Sequence, residues 1–283
     1  MARGSWGQSR LLSRKSWAII RENRYLLAFP LLGFLASLIP LALFWIPAGW
    51  LLLRDQTVAG IVVAIIGLFA NQMVISVSSG GLVASADEEL AGRDSSVLHG
   101  IGCALGRLFP LIGWACIATV VNIIAGLIRG NSSNAAVDAM RNLAAAGVLA
   151  MWSLVTFFVL PYIMLEKLGP LASIKHSFAL FKERWGLQIF GGVRIGGMVA
   201  LVTILPGVLL VVLGIVAAIS DSTALIGAGI GLIVLGVLLC MAGALILSTM
   251  RGIFSVVLFR FAHDGSVEGG FTQAELQGAI RTS

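Results

Sequence analysis

Few side chains in this sequence are placed to do chemistry. The histidines, His99, His176 and His263, are each separated in sequence from the cysteines Cys103, Cys116 and Cys240 by spacings that match no zinc or redox motif. The run Asp87-Glu88-Glu89 offers three carboxylates to a cation, but an acidic loop facing water is the plainer reading. Asn71 and Gln72, followed by Ser76, stand in the middle of an apolar run. Amides and hydroxyls there would line a polar path across a bilayer, or else make interhelical hydrogen bonds worth about 0.6 kcal/mol each. Arg194, in GGVRIGG, lies at the edge of another apolar run, where a charge either serves function or snorkels to headgroups. At that depth headgroup contact is the simpler role. HExxH, GxSxG and the phosphate-binding loop are all missing. The expectation is no catalytic residue, no metal, no cofactor and no enzyme.

The basic side chains suit a different task, the binding of phosphate-bearing headgroups. In SFALFKER and its flanks, Leu171, Ile174, Phe178, Phe181 and Trp185 recur at helical spacing and form one apolar stripe. Lys175 and Lys182 flank that stripe, with Arg184 beyond. This pattern predicts a helix lying in the membrane interface, its lysine stems reaching the headgroups. The chain writes nearly the same octapeptide near its start: SWAIIREN repeats Ser, Ala and Glu at Ser16, Ala18 and Glu22 against Ser177, Ala179 and Glu183. A weaker third copy, HGIGCALGR at 99–107, keeps an apolar stripe through Val97, Ile101, Ala104 and Leu108. It too is expected to lie flat on the surface. The residues assigned to lipid headgroups are Arg21, Lys175, Lys182, Arg184 and Arg194.

The elements that must hold these residues are membrane spans. Of the 283 residues, 58% are hydrophobic and 11% charged, against about 25% charged in a soluble domain. The mean hydropathy is +0.99. Apolar runs long enough to cross a bilayer predict six spans, at Tyr25–Ile46, Val58–Val83, Leu108–Ile128, Leu143–Leu165, Ile189–Ile219 and Ala224–Met250. With that alternation, fifteen Lys and Arg residues fall on the side of the termini, three on the other, and Arg194 within the fifth span. The positive-inside rule then places both termini in the cytoplasm. The net charge of +6 thus reflects orientation and anionic lipid, and no nucleic-acid motif accompanies it. No cleavable signal peptide is read at the N-terminus. The opposite loops, such as IPAGWLLLRDQT and RGNSSNAAVDAMR, are too short or plain for a folded domain.

The stretch LPYIMLEKLGPLASIKHSFALFKERWG (160–186) resembles a segment of bacterial six-helix membrane proteins of unknown function. Those are more distantly similar to the membrane domain of glycerophosphodiester phosphodiesterases. Pro161, Glu166, Ser177, Arg184 and Trp185 carry the likeness, together with the tail SVVLFRFAHDGSVEGGFTQAELQGAI. What the resemblance implies is a fold, not an activity. In the tail, Thr272 and Glu275 form a capping box for a short helix. The expected fold is an all-α polytopic membrane bundle. It forms a single domain of six transmembrane helices in three units, each an amphipathic helix followed by a hairpin (about 9–83, 97–165 and 171–250), with a tail at 251–283. Gly192/Gly196 and Gly227/Gly231 are expected to let helices approach closely, and Pro40, Pro47 and Pro206 to kink or end theirs. The expected function is a lipid-associated scaffold or accessory protein of the bacterial inner membrane, with membrane lipids, anionic ones foremost, as partners. The alternative is a small-solute or lipid transporter through Asn71, Gln72 and Ser76.

Overall fold

The computed structural model describes residues 23–130, 134–184, 203–220 and 222–265, all of whose regular elements are helices. The first octapeptide with Arg21, the fifth span's opening with Arg194 and Gly192/Gly196, and the capping box in the tail lie outside the described residues.

Helix α1 runs over Arg24–Leu53 and α2 over Thr57–Leu90. Helix α3 covers Val97–Leu105, α4 Leu108–Arg129 and α5 Ala135–Val155. The short α6, Val159–Met164, continues α5 after a break. Then come α7 at Pro170–Arg184, α8 at Leu205–Ala218 and α9 at Thr223–Asp264. Among the described residues, five helical runs are long and apolar enough to cross a membrane: α1, α2, α4, α5 with α6, and α9. The described part of the fifth apolar run includes α8, whose 14 residues cover about 21 Å at 1.5 Å per residue.

The helices outrun the expected spans. The segment read as a loop, IPAGWLLLRDQT, is helical to Leu53, leaving a turn at Arg54–Gln56. Pro40 does not end α1. Its missing N–H and its ring disturb the hydrogen-bond ladder, and the next turn, Leu41–Trp45, widens into a π-helix. Pro47 falls in the first turn of the α-helical segment that follows, where an absent N–H costs little. The fourth span starts at Ala135, not Leu143, with Asn134 Oδ1 capping the N–H of Ala136 at 2.9 Å. Most consequential are the ends of α2 and α9, which run on to Leu90 and Asp264, beyond the Val83 and Met250 expected.

Those overhangs, with the span ends they continue, make the core. Leu82, Val83 and Ala86 of α2 and Met250, Ile253, Val256 and Val257 of α9 are buried, with Leu26 and Phe29 of α1, Leu111 of α4 and Ile163 of α6. The rest of the bundle displays apolar side chains outward, including Ile39, Leu43, Val58, Leu127, Val216 and Val234. That division follows from the solvent. Lipid tails are as apolar as Leu, so helices inside a bilayer have no hydrophobic reason to cover one another. At the charged end they do.

Helices α8 and α9 pack backbone to backbone. A Cβ on Gly214 would lie 2.6 Å from the Gly229 carbonyl oxygen, and one on Gly236 would lie 2.5 Å from the Gly207 oxygen. The small residues that pair these helices are therefore Gly207, Gly214, Gly229 and Gly236. Gly227 and Gly231, expected in that role, face open space.

Candidate functional site

The charged end of the bundle gathers most of the chain's polar chemistry. Asp87, Glu88 and Glu89 close the last turns of α2, so they are helical and not part of a solvated loop. Successive helix positions differ by about 100°, and each acid reaches a different neighbour. Asp87 Oδ1 accepts from Arg260 Nε of α9 at 2.7 Å, and Arg260 also donates to the Asp87 carbonyl oxygen at 3.2 Å. Both side chains are largely buried. Glu88 pairs with Arg93 in the loop that follows. Glu89 accepts from the Tyr25 hydroxyl of α1 at 2.5 Å and from the Ser95 N–H at 3.2 Å. Three adjacent carboxylates thereby join α1, α9 and the entry to α3. All three are engaged, and among the described residues no cluster of His, Cys, Asp and Glu is arranged to hold a metal ion.

Helix α3 starts where this junction ends. Ser96 caps it by accepting from the His99 N–H at 3.2 Å. From there it runs back along α2. Ser85 Oγ donates to the Ser96 carbonyl at 3.3 Å, Gly100 sits against Gly81, and Ala104 lies beside Gly80. The third octapeptide copy is thus a helix in which the stripe residue Ala104 is buried and Val97, Ile101 and Leu108 are half-buried, while Gly100, outside the stripe, is buried against α2. Glycines at 81 and 100 are needed for this approach: a Cβ on Gly100 would lie 2.6 Å from the Gly81 oxygen.

Helix α7 answers what the repeated serine does. The fourth span breaks between Val155 and Val159, leaving backbone groups without helical partners. Ser177 fills that gap. Its Oγ donates to the Val155 carbonyl at 2.5 Å and accepts from the Phe158 N–H at 3.2 Å. The buried face of α7 accordingly runs through Ser173, Ser177 and Leu180. The predicted apolar stripe divides: Ile174 and Phe181 are half-buried, while Leu171 and Phe178 are 73% and 51% exposed. Leu171, Lys175, Phe178 and Lys182 then share one outward face, alternating apolar and cationic.

Two histidines border an aromatic stack beside α7. Tyr162 meets Phe259 edge-on at 4.9 Å, with His176 at 5.5 Å on one side. Phe259 stacks on His263 at 5.4 Å, and His263 Nε2 lies 3.4 Å from Glu166. Deeper in α2, Asn71 and Gln72 are half-buried. Ser76 is 1% exposed, and its hydroxyl has no hydrogen-bond partner among the described residues. Ser78 makes an interhelical bond instead, donating to the Phe29 carbonyl of α1 at 2.5 Å.

A family model described as a family of unknown function (DUF6159) matches residues 58–270. The chain belongs to that family. The DUF6159 match begins at the start of α2 and ends just past α9, so it takes in the acid junction, α3, α7 and the aromatic stack, and leaves α1 outside. No curated protein and no solved structure matches the chain. Within this DUF6159 chain, the sequence offers the lysines of α7 and the polar triplet of α2 as candidates. Sequence reading missed the Asp87–Arg260 pair, whose partners are 173 residues apart. The only signal available was two opposite charges, each just past an apolar run.

Proposed function

We propose that this DUF6159 chain is a non-enzymatic membrane protein that associates with anionic lipid and serves as a scaffold or accessory component in the bacterial inner membrane. Both termini face the cytoplasm in this reading, and the six helices form three amphipathic-helix-plus-hairpin units. The distant likeness to the membrane domain of glycerophosphodiester phosphodiesterases is carried as part of the same proposal. The outward face of α7 supports it. Leu171 and Phe178 stand exposed between Lys175 and Lys182, and the packing surface of the helix is on its serine side. Exposed apolar side chains alternating with lysines suit a boundary where acyl chains give way to phosphates. Arg184 continues the basic run in sequence, and Arg21 and Arg194 are assigned to the same role by their places next to spans.

The test is lipid preference. The purified protein is reconstituted in vesicles with and without phosphatidylglycerol, and bound lipid is identified after extraction. Changing Lys175 and Lys182 to Gln should lower the share of phosphatidylglycerol that co-purifies. Unchanged lipid composition would end this reading.

A second reading is favoured by Ser76, a buried hydroxyl without a described partner. With Asn71 and Gln72 it would form a polar path for a small solute or lipid. Asn71→Leu with Gln72→Leu should then abolish flux in proteoliposomes while the protein still folds. Flux that persists would remove that alternative.

A further inference from the structure

An open groove of about 330 Å³ lies between α1, α2 and α3. Phe29, Leu32 and Ala36 form one wall, Met73, Val74 and Val77 another, and Ile101 of α3 adds to the lining. Gly33 makes room on α1: a Cβ there would lie 2.6 Å from Ser78 Oγ. Among the described residues of the lining Ser78 is the one polar side chain, and its hydroxyl is already committed to the Phe29 carbonyl.

We propose that this groove seats an acyl chain of a membrane phospholipid. Water is a poor occupant. A held water needs two to four polar partners, and apolar cavities stay dry. The groove also opens within the part of α1 that faces hydrocarbon, where Leu31, Leu32, Phe34 and Leu35 are exposed. Phe29 stands four residues, about one helical turn, from Tyr25 and the Tyr25–Glu89 bond, and Arg24 is exposed beside it. The Phe29 end of the groove therefore adjoins the charged end of the bundle, and Leu32 and Ala36 carry the lining on into the span. That polarity matches one lipid of the leaflet on this side, with its chain in the groove and its polar part near the junction. The reading rests on the lipid association proposed above but uses a different surface, so the two can fail separately.

The experiment is native mass spectrometry of the protein purified in mild detergent from vesicles of phosphatidylethanolamine and phosphatidylglycerol. A retained phospholipid is expected on the unaltered chain. Val74→Trp, which fills the groove, should lower the retained fraction roughly tenfold or more, since each excluded methylene forfeits a part of the binding. Leu213→Trp, on an exposed face of α8, should leave it unchanged. Lys175→Gln with Lys182→Gln should shift the phosphatidylglycerol share without emptying the groove. Ala36→Phe is a second groove-filling variant should Val74→Trp fail to fold by circular dichroism. No retained lipid on the unaltered chain, or equal retention in the groove-filled and Leu213→Trp proteins, would overturn the proposal. Loss in the groove variants with no effect of the lysine changes would sustain the groove and remove the headgroup reading of α7.

Discussion

Ser177 and Asp87 show how single polar residues fix this bundle. Ser177 satisfies a carbonyl and an N–H that the break in the fourth span leaves over. Ser177→Ala should cost about 1–2 kcal/mol, seen as a lower thermal midpoint in detergent. Ser173→Ala should cost less, because that hydroxyl only bonds the Gly169 carbonyl on its own helix. Asp87 is a stronger case, since it forms a mostly buried ion pair with Arg260 across two helices. Asp87→Asn should destabilise by about 1–3 kcal/mol, a figure reduced for the part of the pair that water still reaches. In a double-mutant cycle with Arg260→Gln, the second change should cost much less once the first is made. Simple additivity would show that the contact carries no coupling. The serine was visible in sequence as the constant member of a repeated octapeptide, though nothing there named its acceptor. The Asp87 pair was not visible, because proximity between residues 87 and 260 exists only when α2 and α9 lie side by side.

The hairpin of α8 and α9 supplies the clearest test at the level of elements. Its glycines divide into those facing a backbone and those facing open space. Gly214→Leu or Gly236→Leu forces a side chain into a carbonyl of the partner helix and should separate the pair. An engineered disulfide between α8 and α9 should then form poorly, and the midpoint should drop. Gly227→Leu and Gly231→Leu should be tolerated, since a Cβ at either meets nothing within 4 Å. A GxxxG spacing reports that small residues share a face. It does not say whether that face meets a helix, and here a different set, seven residues apart at Gly229 and Gly236, took the contact. The same ambiguity affected α7. Its apolar periodicity marked a helix, but the single stripe expected from it divides, because in a membrane protein an apolar face has two possible partners, the bundle and the lipid. Ser177 went to the bundle because the broken span needed its hydroxyl, Ser173 lies about one turn before it on the same buried face, and Leu171 and Phe178 were left outside.

Across the whole molecule, the packed core lies at the charged end and the apolar belt faces outward, so the two halves should respond to different agents. Orientation is tested by adding a membrane-impermeant maleimide to intact cells expressing cysteine-free variants with one new cysteine. Arg54→Cys, in the turn between α1 and α2, should label from outside, and Lys167→Cys, between α6 and α7, should not. The reverse pattern would invert the topology. Composition and run length were enough to read an all-helical chain with apolar helices long enough for a multi-pass membrane protein, since burying unpaired backbone in lipid is prohibitive and a span must be both apolar and about 20 residues long. Those quantities are sums along the chain, and no knowledge of neighbours is needed to form them. Helix ends, the fate of the acids and the inward face of α7 required the tertiary structure. Each depends on which backbone group or charge stands opposite, and residues as distant as Asp87 and Arg260, or Ser177 and Val155, become opposite only when the helices pack.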